Sequence, residues 1–278
     1  MRTTRRQSLR YLAGFAAAGA LAGCAAPRPS GRSSFVLVHG GWHGPWCWDR
    51  ISPLLRDAGH RVSAVNLHGE GADHLPTEQT TLAHYVARIR RAIDAADAPV
   101  VLVAHSSGAL SAQQAVEEQP ERVRTIVFLS AFVARNGESG RMLQGKDPAQ
   151  KVSPVLRVDF RPGSKIPYQT RIDMSSFEAV KLAFYNDCSD ADARAAVAQL
   201  VPEPTAPAGQ PLRLTPERFG RVDKVYIHCS QDNAISLGRQ REFATQWPLR
   251  RTLTVESGHS PFLSMPARLA SILGEIGV

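Results

Sequence analysis

The 278-residue sequence predicts an α/β fold: one mainly parallel sheet of about six strands with helices on both faces. Three observations carry that expectation. Six short runs rich in β-branched residues alternate with helical patterns, as the winding of a parallel sheet requires. One gap of about 80 residues interrupts them, far beyond an ordinary loop. The stretch Val100-Val101-Leu102-Val103-Ala104-His105-Ser106-Ser107-Gly108 runs from an apolar strand through a tight turn into a helix.

The elements follow in order. The strand runs are residues 34–39, 61–66, 100–105, 124–130, 224–228 and 251–255. Residues 45–58 read as a helix stopped by Gly59. Residues 82–96 set Leu82, Val86, Ile89 and Ile93 on one helical face. A helix over 108–118 ends before Pro120. Residues 132–210, with helical candidates at 176–185 and 191–200 and a Pro-rich exit to Pro211, form an inserted helical cap. It covers the edge where the strands end, which is where such sheets bind ligands. Helices at 237–246 and 266–276 complete the core, whose two parts are 34–131 and 211–278.

The N-terminus reads as an address. Residues 1–10 are basic, and residues 11–22 are apolar but too short to span a bilayer comfortably. Thr4-Arg5-Arg6-Gln7-Ser8-Leu9 resembles a bacterial twin-arginine export signal. Leu21-Ala22-Gly23-Cys24 resembles a lipobox, which makes Cys24 the expected lipidation site. Residues 1–23 are then a signal peptide and 24–33 a tether. The expected location is the periplasm or cell envelope, with the membrane reached through the lipid anchor. Half of the +8 formal charge comes from Arg2, Arg5, Arg6 and Arg10. The remaining basic residues are scattered among acids, which excludes a nucleic-acid stripe. Cys47, Cys188 and Cys229 form no metal pattern or disulfide framework and read as small buried apolar residues.

The chemistry centres on the turn after the third strand. Close approach of strand and helix demands small residues two before and two after a nucleophile. Centred on Ser106, those are Ala104 and Gly108; centred on Ser107, the His105 imidazole would clash. Ser106 is therefore the candidate nucleophile, and it needs a base. Of nine histidines, His259 in Ser257-Gly258-His259-Ser260-Pro261 opens on the same sheet edge. His60 lies at the wrong edge, and His105 is expected beside the turn in a structural role. Asp232, after the penultimate strand, is the orienting carboxylate, and Glu256 fits less well. Two backbone donors must receive the developing oxyanion: the Ser107 amide and that of Gly41 in the glycine turn after the first strand. Trp42, Phe132 and Phe184 are candidates for an apolar pocket wall. No cofactor or metal is called for.

His39-Gly40-Gly41-Trp42-His43-Gly44-Pro45-Trp46-Cys47-Trp48 resembles the H-G-x-x-H-G-x-W-x-W signature of the plant methylesterase and hydroxynitrile lyase branch of the α/β-hydrolases. Ala58-Gly59-His60-Arg61-Val62, Phe184-Tyr185-Asn186-Asp187-Cys188 and His259-Ser260-Pro261-Phe262-Leu263-Ser264 continue the likeness, which runs from about residue 34 to the end. The resemblance implies that fold. It carries nucleophile, acid and base onto Ser106, Asp232 and His259, and oxyanion donors onto the amides of Gly41 and Ser107. Lyases of the branch have threonine and lysine where this chain has Gly40 and Ser260. The expectation is therefore a serine esterase acting on a small to medium apolar ester. A lyase on the same scaffold and a non-catalytic envelope binding protein are the alternatives. Ala104, Ser107 and Ser260 depart from the branch pattern.

Overall fold

The computed structural model describes residues 31–69, 73–97 and 99–278; the expected signal peptide and Cys24 lie outside them. Of the expected tether, Ser33 is buried and its amide donates to His60 Nδ1 at 3.3 Å.

In chain order the elements are β1 (Ser34–Val38), α1 (Ile51–Asp57), β2 (Arg61–Val65), α2 (Leu82–Asp94), β3 (Val100–His105), α3 (Gly108–Glu118) and β4 (Val123–Leu129). The insertion contains α4 (Gly140–Leu143), β5 (Leu156–Phe160), β6 (Pro167–Ile172), α5 (Phe177–Phe184), α6 (Asp190–Val197), β7 (Glu203–Pro204) and α7 (Thr205–Gly209). The chain returns through β8 (Asp223–Cys229), α8 (Leu237–Phe243), β9 (Arg251–Val255), α9 (Pro261–Ser264) and α10 (Pro266–Gly277).

Six strands form one sheet in the order β2-β1-β3-β4-β8-β9, and every pairing is parallel. The sheet explains why β1 and β3 are apolar at nearly every position. Val36, Val38, Leu102 and Ala104 face one helical layer, with Val86 and Ile89 of α2 and Ala112 and Val116 of α3. Phe35, Leu37, Val101 and Val103 face the other, with Ile51 and Leu55 of α1 and Leu269 and Leu273 of α10. A strand covered on both faces leaves polar side chains only at its ends, as Ser34 and His105 show here.

Two expectations change. Residues 45–58 are a 3-10 turn at Pro45–Trp48 followed by α1, not one helix. Pro53 lacks an N–H and fits only the first turn of a helix, so the helix restarts at Ile51. The insertion, expected to be helical, also holds the antiparallel sheet β5-β6-β7. β5 is largely exposed and β6 mostly half-buried, and ion pairs Arg157–Asp173 and Arg171–Asp159 run along the hairpin.

The register brings the C-terminal ends of β3, β4 and β8 level, pairing His105 with Leu129 and Leu129 with Ile227. The turn after β1 crosses the start of α3 so closely that a Cβ on Gly108 would overlap the His39 carbonyl oxygen. Backbone cannot give way as a flexible side chain does. Gly108→Ala is expected to lower stability by about 2–3 kcal/mol, measured as a fall in the urea midpoint.

Candidate active site

Ser106 sits between β3 and α3 with φ +53°, a left-handed conformation that a non-glycine residue adopts only when its surroundings impose it. Neighbouring backbone holds it there. The Ser106 amide donates to the Leu129 carbonyl at 3.3 Å, and its carbonyl accepts from the Phe132 amide at 3.2 Å. On the other side a Cβ on Gly40 would lie 2.7 Å from Ser106 Cβ, so the turn after β1 approaches the serine as bare backbone. A side chain at that position would require Ser106 to shift.

His259 follows β9, and its Nε2 lies 3.1 Å from Ser106 Oγ. Its Nδ1–H donates to Asp232 Oδ2 at 2.7 Å. Both side chains are buried, at 2% and 0% exposure, so the charge pair they form on protonation is shielded from water. Asp232, in the loop after β8, is saturated with donors. Its Oδ1 accepts the amides of Ala234 at 2.6 Å and Ile235 at 2.9 Å. Its Oδ2 accepts a short bond from Ser130 Oγ, with Gln240 Nε2 at 3.5 Å. Ser130, with φ +39°, ends β4 and turns its hydroxyl onto the carboxylate. The loop carrying His259 is tied to the insertion by Asp187, whose Oδ2 accepts the Gly258 amide at 2.8 Å and the Ser257 hydroxyl at 2.9 Å.

Three buried histidines hold backbone carbonyls in place. A carbonyl only accepts, so the ring nitrogen facing it carries the proton. His105 Nε2–H donates to the His259 carbonyl at 2.9 Å. His39 Nδ1–H donates to the Gly40 carbonyl at 2.8 Å, and His43 Nδ1–H to the Gly41 carbonyl at 2.7 Å. Burial pushes His39 down to about 3 and His43 to about 4, and it holds His105 well below the ordinary range. All three are neutral braces. The other nitrogen of His43 accepts from Tyr185 Oη at 2.9 Å, which joins the glycine turn to the insertion.

The amide of Gly41, expected to receive the oxyanion, is engaged: it donates to Ser107 Oγ at 2.8 Å. Trp42 has φ +62°, and its amide donates to Glu203 Oε2 at 3.2 Å. Glu203 Oε1 accepts from Tyr85 Oη at 3.1 Å. Burial pushes Glu203 up to about 7. A cavity of about 440 Å³ opens over Ser106 and His259; Trp42, Phe132, Phe184 and Glu203 are among its walls. The structure thus brings Ser106, Asp232 and His259 into one hydrogen-bonded chain, with Gly41 and Ser107 beside it and all three expected aromatic residues on the cavity. Sequence reasoning missed Ser130, Asp187, Tyr85 and Glu203. Ser130 carried a signal in its place at the end of a strand on the right sheet edge, and Asp187 in its place within the likeness over residues 184–188.

Comparison with known proteins decides the family. A model of the alpha/beta hydrolase family matches residues 35–272. The chain belongs to the α/β-hydrolase family. Methylesterase 7 of Arabidopsis thaliana is 30% identical to this hydrolase over 253 residues, covering 88% of this chain and 96% of that protein. Salicylic acid-binding protein 2 of Nicotiana tabacum is 32% identical over 253 residues, covering 87% of this chain and 96% of that protein. The crystal structure of polyneuridine aldehyde esterase superposes with a TM-score of 0.79 at 26% identity, covering 89% of this chain and 100% of that one. These relatives put the hydrolase in the plant methylesterase branch, as its motifs led us to expect, and among the carboxylic-ester hydrolases.

Glu203 gives a pH signature. Its carboxyl titrates near 4.5 unfolded and near 7 folded, so the folded hydrolase binds the extra proton between those values. Stability from this group is present at low pH and is lost as pH rises through about 7, by up to about 3 kcal/mol. Glu203→Gln is expected to remove that loss; urea unfolding of both proteins at about pH 4.5 and about pH 8 measures the difference.

Proposed function

We propose that this esterase works by acyl transfer through Ser106, with His259 as general base and acid and Asp232 as the orienting carboxylate. One observation carries the reading. A continuous chain, Ser106 Oγ to His259 Nε2 at 3.1 Å and His259 Nδ1 to Asp232 at 2.7 Å, ends at the cavity.

The ester carbonyl enters above Ser106. As Oγ attacks, its proton passes to His259 Nε2, and Asp232 balances the imidazolium. The carbonyl oxygen gains charge and takes hydrogen bonds from the amides of Gly41 and Ser107. His259 then protonates the departing alcohol. A water molecule, deprotonated by the same nitrogen, attacks the acyl-serine and releases the acid. The apolar walls, with Trp42, Phe132 and Phe184, favour a small to medium apolar acyl or alcohol part.

The serine reading predicts that Ser106→Ala lowers kcat at least about ten-thousand-fold and abolishes covalent labelling by a fluorophosphonate. Labelling that survives the substitution overturns it. A p-nitrophenyl and methyl ester panel, run with residues 1–24 removed, defines the substrate.

The Ser107 hydroxyl makes a separate prediction. It holds the Gly41 amide at rest, and an entering carbonyl oxygen must displace it. A neutral hydrogen bond of this kind contributes about 1 kcal/mol. Ser107→Ala is expected to raise kcat/KM about fivefold; a fall instead would show the hydroxyl donating to the oxyanion.

A further inference from the structure

Glu203 extends from β7 of the insertion, with its side chain only 18% exposed. Its oxygens accept from two neutral donors, the Trp42 amide and the Tyr85 hydroxyl. Among the described residues, the histidine nitrogen within 4.0 Å of it is His68 Nε2, at 3.7 Å. That nitrogen donates to the His43 carbonyl at 3.2 Å, and burial pushes His68 down to about 4, so the ring carries no charge near neutrality. Among the described residues, no lysine or arginine nitrogen lies within 4.0 Å of the Glu203 carboxylate. Arg239, on the same cavity, pairs with Glu242.

A shielded carboxylate without a cation is costly, and such groups are normally paired. Its position raises the cost further. Glu203 Cγ and Cδ lie 3.8 Å from where a Cβ on Gly41 would stand, against the turn that receives the oxyanion. An ionised Glu203 repels the negative charge that forms there. A cation delivered with the substrate removes both penalties. The surroundings suit one: Trp42 and Tyr85 are among the residues that line the same cavity, and ammonium groups bind well against aromatic side chains.

We infer that Glu203 is a recognition site for an ammonium group on the substrate. The preferred esters are amino esters whose nitrogen sits within a few bonds of the scissile carbonyl. The ammonium sits against the Glu203 carboxylate while Ser106 attacks. The inference rests on the Ser106 reading and narrows its substrate class. Tyr85 and His68 are the titratable groups that face Glu203, and both stay neutral throughout.

The test compares methyl 3-amino-3-phenylpropanoate with methyl 3-phenylpropanoate at about pH 7.5, where Glu203 and the amine are both mostly charged. The wild-type hydrolase is expected to favour the amino ester in kcat/KM by about tenfold or more. Glu203→Gln keeps an acceptor for Trp42 or Tyr85 but removes the charge, and is expected to erase or invert that ratio. A purely structural Glu203 would lower both values together and leave the ratio unchanged, which overturns the inference. Calorimetric titration with benzylammonium chloride reads the site without turnover. Binding weakened about tenfold by Glu203→Gln supports the site, and equal binding overturns it. Fluorophosphonate labelling of Ser106 in both proteins reports separately on the serine reading.

Discussion

A Cβ has no room where the turn after β1 meets the start of α3, and the geometry of the site depends on that close crossing. Gly108 and Gly40 let two backbones touch at Ser106. Because they touch, the left-handed serine has nowhere to relax, and its hydroxyl is held at the base of the cavity opposite His259. Ala104, wholly buried, completes the arrangement from the strand side. Alanine in place of the glycine usual in this branch is accommodated, its methyl group buried in the core cluster.

Around that crossing, uncharged and donor-rich contacts do the positioning. Neutral imidazoles grip carbonyls of the glycine turn and of the His259 loop. Asp232 is oriented by two amides and by Ser130 before it meets His259. The insertion reaches in from above through Tyr185 on His43, Asp187 on Gly258, and the Val201 amide on the Trp42 carbonyl. The cap therefore does more than cover the site. It fixes both the glycine turn after β1 and the loop that carries His259.

Much of this was legible in the sequence because the core is governed by local rules. Strands buried on both faces had to be continuous apolar runs, and Ser106 could be separated from Ser107 by the size of the residues flanking each. Asp232 and His259 followed from which strand ends share an edge. The insertion was harder to read. Leu156-Arg157-Val158-Asp159-Phe160 alternates as a strand should, yet its exposed, charge-rich composition gave no sign of a core to pack on. Glu203 was invisible for a different reason. Its environment is made by Trp42 and Tyr85, 161 and 118 residues away along the chain. No pattern within a window reports on such a meeting.

The neutral histidines have a consequence for where this enzyme can operate. His39 and His43 would each have to carry a proton inside a dry wall as the medium turns acid, and the unfolded chain accepts those protons near 6.5. Stability from these braces is full at neutral pH and drains away as pH falls through that range toward 4. The groups that carry this acid sensitivity are supports of the glycine turn rather than Ser106. An acid limit of this kind belongs to the architecture, and a variant engineered for acid tolerance would replace the braces before touching the chain from Ser106 to Asp232.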